Sequence, residues 1–183
     1  MAAGDGLVSM KPSSIAHSGT SASINADGGV DFTAVTSLSL NGVFTSEIDN
    51  YLVVTYFVTS STSLLGSLRL RSGGSDNSAS NYAFQYLDIS TTFKNAARST
   101  SQDFSYFHLG GDYTSGVTAH FYGPALAQPT AWRTITNKGD SVNPSQWFDS
   151  ANTHSASTSF DGFTIYHASV NFTGNVHVFG YEE

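Results

Sequence analysis

The stretch that most constrains this fold is Leu52-Val53-Val54-Thr55-Tyr56-Phe57-Val58, the longest unbroken β-favouring run in the chain. It follows a polar turn region, residues 41–51, that contains Gly42 and Asp49-Asn50. Side chains alternate across a strand, so Leu52, Val54, Tyr56 and Val58 face one way and Tyr51, Val53, Thr55 and Phe57 the other. Apolar residues on both faces predict a strand covered on both sides and central in its sheet.

The remaining sequence reads as strands to be laid against it. Residues 22–24 and 30–32 flank Asn25-Ala26-Asp27-Gly28-Gly29, a hairpin with glycines available for positive φ. Further strands are expected at 35–40, 64–71, 82–89, 103–109, 117–122, 132–137, 162–167 and 175–181, with a turn at 60–63 and a longer loop at 72–78. Pro124 and Pro129 bracket either one helical turn or a crossover loop. No window of helical length carries an apolar stripe of 3.6 periodicity. The prediction is therefore all-β: a single jelly-roll-like antiparallel β-sandwich over 22–183, with an extended N-terminal arm over 1–21. Leu7, Val8, Met10 and Ile15 make that arm either a disordered leader or a peptide that docks on a neighbouring chain.

Charge and composition narrow the partners. The chain has 183 residues, enough for one domain with a real core, and carries a net charge of −7 with only seven basic residues. That balance offers no phosphate-binding surface, so no nucleic-acid partner is expected. The absence of Cys removes disulfides, zinc–thiolate sites and thiol nucleophiles, and fits folding in a reducing cytoplasm. The first residues lack the basic and apolar regions of a signal peptide, and the longest apolar run is too short to span a membrane.

Six histidines (His17, His108, His120, His154, His167, His177) form no His-x-His pair, so strand histidines are expected rather than a metal site. Asp76, Asn77 and Asn81 offer oxygen ligands but lack the alternation and closing Glu of a calcium loop; Asx turns account for them. Asp103, Asp112, Asp149 and Asp161 are the carboxylates a glycosidase would draw on. Such aspartates are ordinary in an acidic β-protein, no Gly-x-Ser-x-Gly motif is present, and no catalytic residue or cofactor is expected. The stretch with binding character runs from Pro144 to His154. Trp147 and Phe148 cannot both face one side of a strand, so in a loop one lies near solvent. Beside Asp149, Asn152 and His154, that ring has the makings of a sugar platform. The other reading makes both aromatics plugs for the sandwich end or a subunit interface.

The order Leu40-Asn41-Gly42-Val43-Phe44-Thr45, Asp49-Asn50-Tyr51, Leu68-Arg69-Leu70-Arg71-Ser72-Gly73, Asp76-Asn77-Ser78 and Asn81-Tyr82 resembles a module common in bacteriophage structural proteins. Residues 124–130, 159–165 and 173–181 continue the likeness, which covers roughly residues 22–181. The module recurs in tail-fibre and appendage proteins, often at their C-terminal end. The resemblance implies a non-enzymatic structural protein of a tailed-phage virion, assembled in the host cytoplasm. It implies a homotrimeric tail-fibre, receptor-binding or appendage module. Its partners would be its own copies, neighbouring virion proteins reached by the arm, and a host surface glycan. Two positions depart from the family: Ile48, more often aromatic, and Leu52, more often basic. They bear on contacts of the central-strand surface rather than on the fold. The module here follows only about twenty residues instead of a long shaft. That leaves capsid decoration, or a stand-alone carbohydrate-binding lectin-like domain, as alternatives.

Overall fold

Alternation with period two runs through most of the chain, and it is expressed as strands. The computed structural model describes residues 6–60, 64–90, 93–142 and 145–182, and among these it contains fourteen strands and no helix. In chain order they are β1 Leu7–Ser9, β2 Ser14–Ile24, β3 Val30–Asn41, β4 Asn50–Thr59, β5 Leu64–Ser72, β6 Ser75–Asp76 and β7 Tyr82–Ile89. There follow β8 Lys94–Gln102, β9 Ser105–Gly110, β10 Ser115–Tyr122, β11 Thr130–Lys138, β12 Gln146–His154, β13 Gly162–Tyr166 and β14 Phe172–Tyr181. Residues 124–129 form a loop without helix. The expected turn at 60–63 falls mostly outside the described residues, as does Pro144.

All pairings are antiparallel and link into one sheet of order β6-β5-β13-β3-β14-β4-β10-β11-β12-β7-β8. The sheet doubles over at β3. Residues 30–35 of that strand pair with β14, whereas 37–40 pair with β13. Between them the ladders shift register, and Ala34 sits at φ +48°. A bulge bends a strand and raises its twist, which lets β3 pass from one layer to the other. The Ala34 N–H, freed from the ladder, donates to Thr173 Oγ1 at 2.9 Å. On the second layer β9 pairs with β5 and packs over β4, β10 and β11. This is a jelly-roll-like β-sandwich.

The space between the layers is filled with rings. Phe57 meets Phe107 edge-on at 5.9 Å, and Phe32 meets Phe172 at 5.7 Å. Phe44 packs on Tyr51 and Phe121, and Phe121 lies nearly parallel to Trp132 at 5.6 Å. One polar node crosses the β3–β13–β5 layer. Buried Arg71 donates to Asn41 Oδ1, Ser39 Oγ and Thr164 Oγ1, and pairs with Asp76 on β6. The β5–β6 turn is made by Gly73 and Gly74 at φ +57° and +80°, both values that an L side chain resists.

Two expectations need correction. The central strand β4 does lie in mid-sheet, between β14 and β10, but only one of its faces is covered. Tyr51, Val53 and Phe57 are fully buried, while Val54, Tyr56 and Val58 are 40%, 47% and 36% exposed. The second layer lies against one side, and among the described residues nothing covers the other. The N-terminal segment is extended, but along its own domain. β1 pairs with β14, β2 pairs with β3 along its length, and Met10 and Ile15 pack against the core. The boundary at residues 21 and 22 therefore falls inside a strand. Of the four expected anchors, Leu7 is the one left largely exposed.

Candidate functional site

The Trp147 stretch is not a loop but strand β12, paired with β11 on one side and β7 on the other. Alternation therefore sorts its five candidate residues onto two faces. Phe148 is fully buried, its ring 5.1 Å from that of Tyr86 and 5.0 Å from His108. Asn152 is buried too; its Oδ1 accepts from Ser105 Oγ, and its Nδ2 donates to Ser150 Oγ at 3.0 Å. His154 lies between the rings of Tyr82 and Phe160, at 4.6 and 4.9 Å, and burial pushes its pKa down. These three belong to the interior. Trp147, half-buried, and Asp149 point to the outer face.

That outer face carries the site. Across β8, β7, β12 and β11 the register aligns Arg98, Gln85, Ala151 and Arg133 in one row. The row on one side holds Ala96, Leu87 and Asp149; the row on the other holds Ala83, Thr153, Ala131 and, on β10, Tyr122. Alanine at the intervening positions keeps the floor low while longer neighbours stand around it. The result is two adjoining depressions of about 510 and 480 Å³ that share Gln85, Arg98, Arg133 and Ala151. Each volume lies within the range of about 300–1,000 Å³ typical of small-molecule sites. From β8 to β10 the trough crosses four strand spacings, roughly 19 Å.

Arg133 and Asp149 form a fork across β11 and β12. Arg133 Nε donates to Asp149 Oδ1 at 2.9 Å, and Nη2 donates to Oδ2 at 2.5 Å. Those bonds raise the Arg133 pKa further above its already high value. They also fix the guanidinium beside the Asp149 carboxylate and leave its other N–H groups free to donate. Tyr122, 51% exposed, and Leu87, 45% exposed, supply apolar surface at the margins.

The remaining candidates are dispersed. Among the described residues, no group of three or more His, Cys, Asp or Glu is placed to hold a metal. His108 is buried against Lys138 Nζ at 2.7 Å, and both burial and that lysine lower its pKa. His167 Nδ1 accepts from the backbone of Ser169 and Val170, and His177 stacks on Phe179. Asp103 pairs with Arg69, Asp112 accepts two bonds from Ser141, and Asp161 accepts from the Gly73 N–H. In the 72–81 loop Asn77 Oδ1 accepts from the Ala79 N–H, an Asx turn, while Asp76 is occupied by Arg71 and Thr164.

Sequence reasoning missed Gln85, Arg98, Tyr122 and Arg133. The signal was present in the outward set Trp147, Asp149, Ala151 and Thr153, once β12 is known to be a strand. No protein-family model matches this sequence, and no curated protein does. Among solved structures, the chain is similar to the galectin LEC-6 of Caenorhabditis elegans, at 10% identity and a TM-score of 0.36, covering 85% of this chain and 99% of that one. It is also similar to the carbohydrate recognition domain of Emp47p, at 10% identity, coverage of 94% and 95%, and a TM-score of 0.29. A third is the SPRY domain of human HERC1, at 8% identity, coverage of 97% and 99%, and a TM-score of 0.32. Likenesses this distant carry no argument about the ligand.

Proposed function

We propose that this chain is a non-enzymatic binding module that holds a carbohydrate in the outer-face trough. Following its resemblance to phage appendage modules, it serves host attachment on a tailed-phage virion as a homotrimer. The observation that carries the carbohydrate reading is the trough: an alanine floor between Gln85, Arg133, Asp149 and Thr153, whose side chains offer donors and acceptors to hydroxyl groups. The strands beneath the middle of the trough, β7, β12, β11 and β10, are each paired on both edges, so recognition over the floor falls to side chains. The one carboxylate in the trough, Asp149, is engaged at both oxygens by Arg133, which suits positioning rather than proton transfer.

Binding to immobilised glycans, measured with the purified chain, tests the reading. Arg133→Ala is expected to weaken the preferred glycan at least tenfold while the chain stays folded. Failure to bind any glycan at millimolar concentration defeats the proposal. Antibody labelling of intact particles tests the virion position. The same exposed Val54, Tyr56 and Val58 that favour self-association also suit a flat contact with a shell, which keeps capsid decoration as the second reading. Labelling over the head rather than the tail selects it.

A further inference from the structure

The trough has a charge that runs against the rest of the molecule. Of the seven basic residues, Arg69, Arg71, Arg133 and Lys138 face the carboxylates of Asp103, Asp76, Asp149 and Asp88. Arg98 has no ion pair among the described residues, and it lines both depressions. Arg133 and Asp149 cancel, so the charged lining of the trough sums to one positive charge in a chain of net charge −7. Lys94 stands on the same strand and the same outward set as Arg98, four residues away.

Placement supports a ligand role. Arg98 is cross-strand from Gln85, in the row that ends at Arg133 three strands away. Three spacings put the two Cα atoms roughly 14 Å apart, with only Gln85 and Ala151 between them. Both side chains therefore reach over one shared floor. An unpaired guanidinium presents five N–H donors in a planar fork that matches the oxygens of a carboxylate, sulfate or phosphate.

We infer that the ligand is an acidic saccharide, whose anionic group is held by Arg98 while neighbouring hydroxyls meet Gln85, Thr153 and the Arg133–Asp149 fork. The inference rests on the carbohydrate reading above and names its substrate class. It sets a polarity along the trough, with the anionic group toward β8 and the neutral ring surface toward Tyr122 on β10.

The test is an array of uronate-bearing, sialylated, sulfated and phosphorylated glycans, each beside its carboxyl-reduced, desulfated or dephosphorylated counterpart. The full chain is expected to bind members of one acidic set at least tenfold more tightly than their neutral counterparts; which set distinguishes carboxylate, sulfate and phosphate. Arg98→Gln is expected to erase that preference and flatten the salt dependence, with an unchanged melting temperature because the residue is exposed on an edge strand. Lys11→Gln, which removes an exposed cation outside the trough, is expected to change nothing. Equal binding of acidic and neutral partners overturns this inference and leaves the carbohydrate reading standing. Equally tight binding of polyglutamate overturns it in favour of simple charge attraction. No binding to any glycan overturns both.

Discussion

Trp147 and Phe148 are adjacent in sequence and face opposite sides of one strand, and their energetics should differ accordingly. Phe148 is fully buried against Tyr86 and His108, so Phe148→Ala is expected to cost about 3–5 kcal/mol. Trp147 is half-buried on the outer face, and Trp147→Ala is expected to cost about 1–2 kcal/mol. Urea denaturation of the two variants checks this; equal losses would contradict the assignment of faces. The buried histidines make a second prediction. Burial lowers the pKa of both His108 and His154 below the ordinary 6.5, with Lys138 adding to the effect at His108. The unfolded chain then binds protons more readily than the folded one. Stability is fully present above about pH 6.5 and is lost as pH falls through the unfolded value. Denaturation midpoints measured from pH 8 to pH 5 should fall with acidification, and His154→Leu should reduce the slope. A flat profile in the parent chain would contradict it.

At the scale of elements, the N-terminal strands decide whether the segment is an appendage or part of the fold. β2 covers the edge of β3 along both layers, and Met10, Ile15 and Ala22 pack on the core. Gly19 is required at the bulge: its φ is +128°, and a Cβ there would stand 2.3 Å from the Ala34 carbonyl oxygen. Deleting residues 1–21 is expected to remove about 3–5 kcal/mol of apolar burial. It also exposes an unpaired strand edge. At about 2–4 °C per kcal/mol for a domain this size, the melting temperature should drop by roughly 10 °C, with aggregation. A truncated chain that melts like the parent would show the segment to be dispensable.

For the whole molecule, the outer sheet face divides into two regions of different character. Toward β8 it is the alanine-floored trough; toward β4 it is apolar, with Val54, Tyr56 and Val58 on one strand and half-buried Phe179 on the next. Low charge density and this patch favour association of copies through β4, leaving the trough clear. Light scattering at micromolar concentration is expected to report a trimer in the parent chain and a monomer in Tyr56→Glu. A monomeric parent would defeat the oligomer and leave the trough's binding to be measured one copy at a time. With three copies, weak single-site binding would gain by effective concentration.

Local order along the chain was enough to establish an all-β domain, most of its strands, and a mid-sheet β4 on which Tyr51, Val53 and Phe57 share one face. Alternation of side chains is a property of neighbours two apart, so it needs no tertiary information. The same alternation cannot say which face meets a second layer. Leu52, Val54, Tyr56 and Val58 are as apolar as the residues between them, yet the second layer lies on one side only. Residues 94–102 give no strand signal and 146–154 read as a loop because polar and small residues predominate in both: Ser and Thr on β8, Asp, Ser, Asn and Thr on β12. The trough was beyond sequence for a further reason. Gln85, Arg98, Arg133 and Ala151 come from four strands, and only hydrogen-bonded register sets them in one row. Register is fixed by burial of the opposite face, where Phe84, Trp132 and Asn152 lie, so the core decides which side chains meet at the surface.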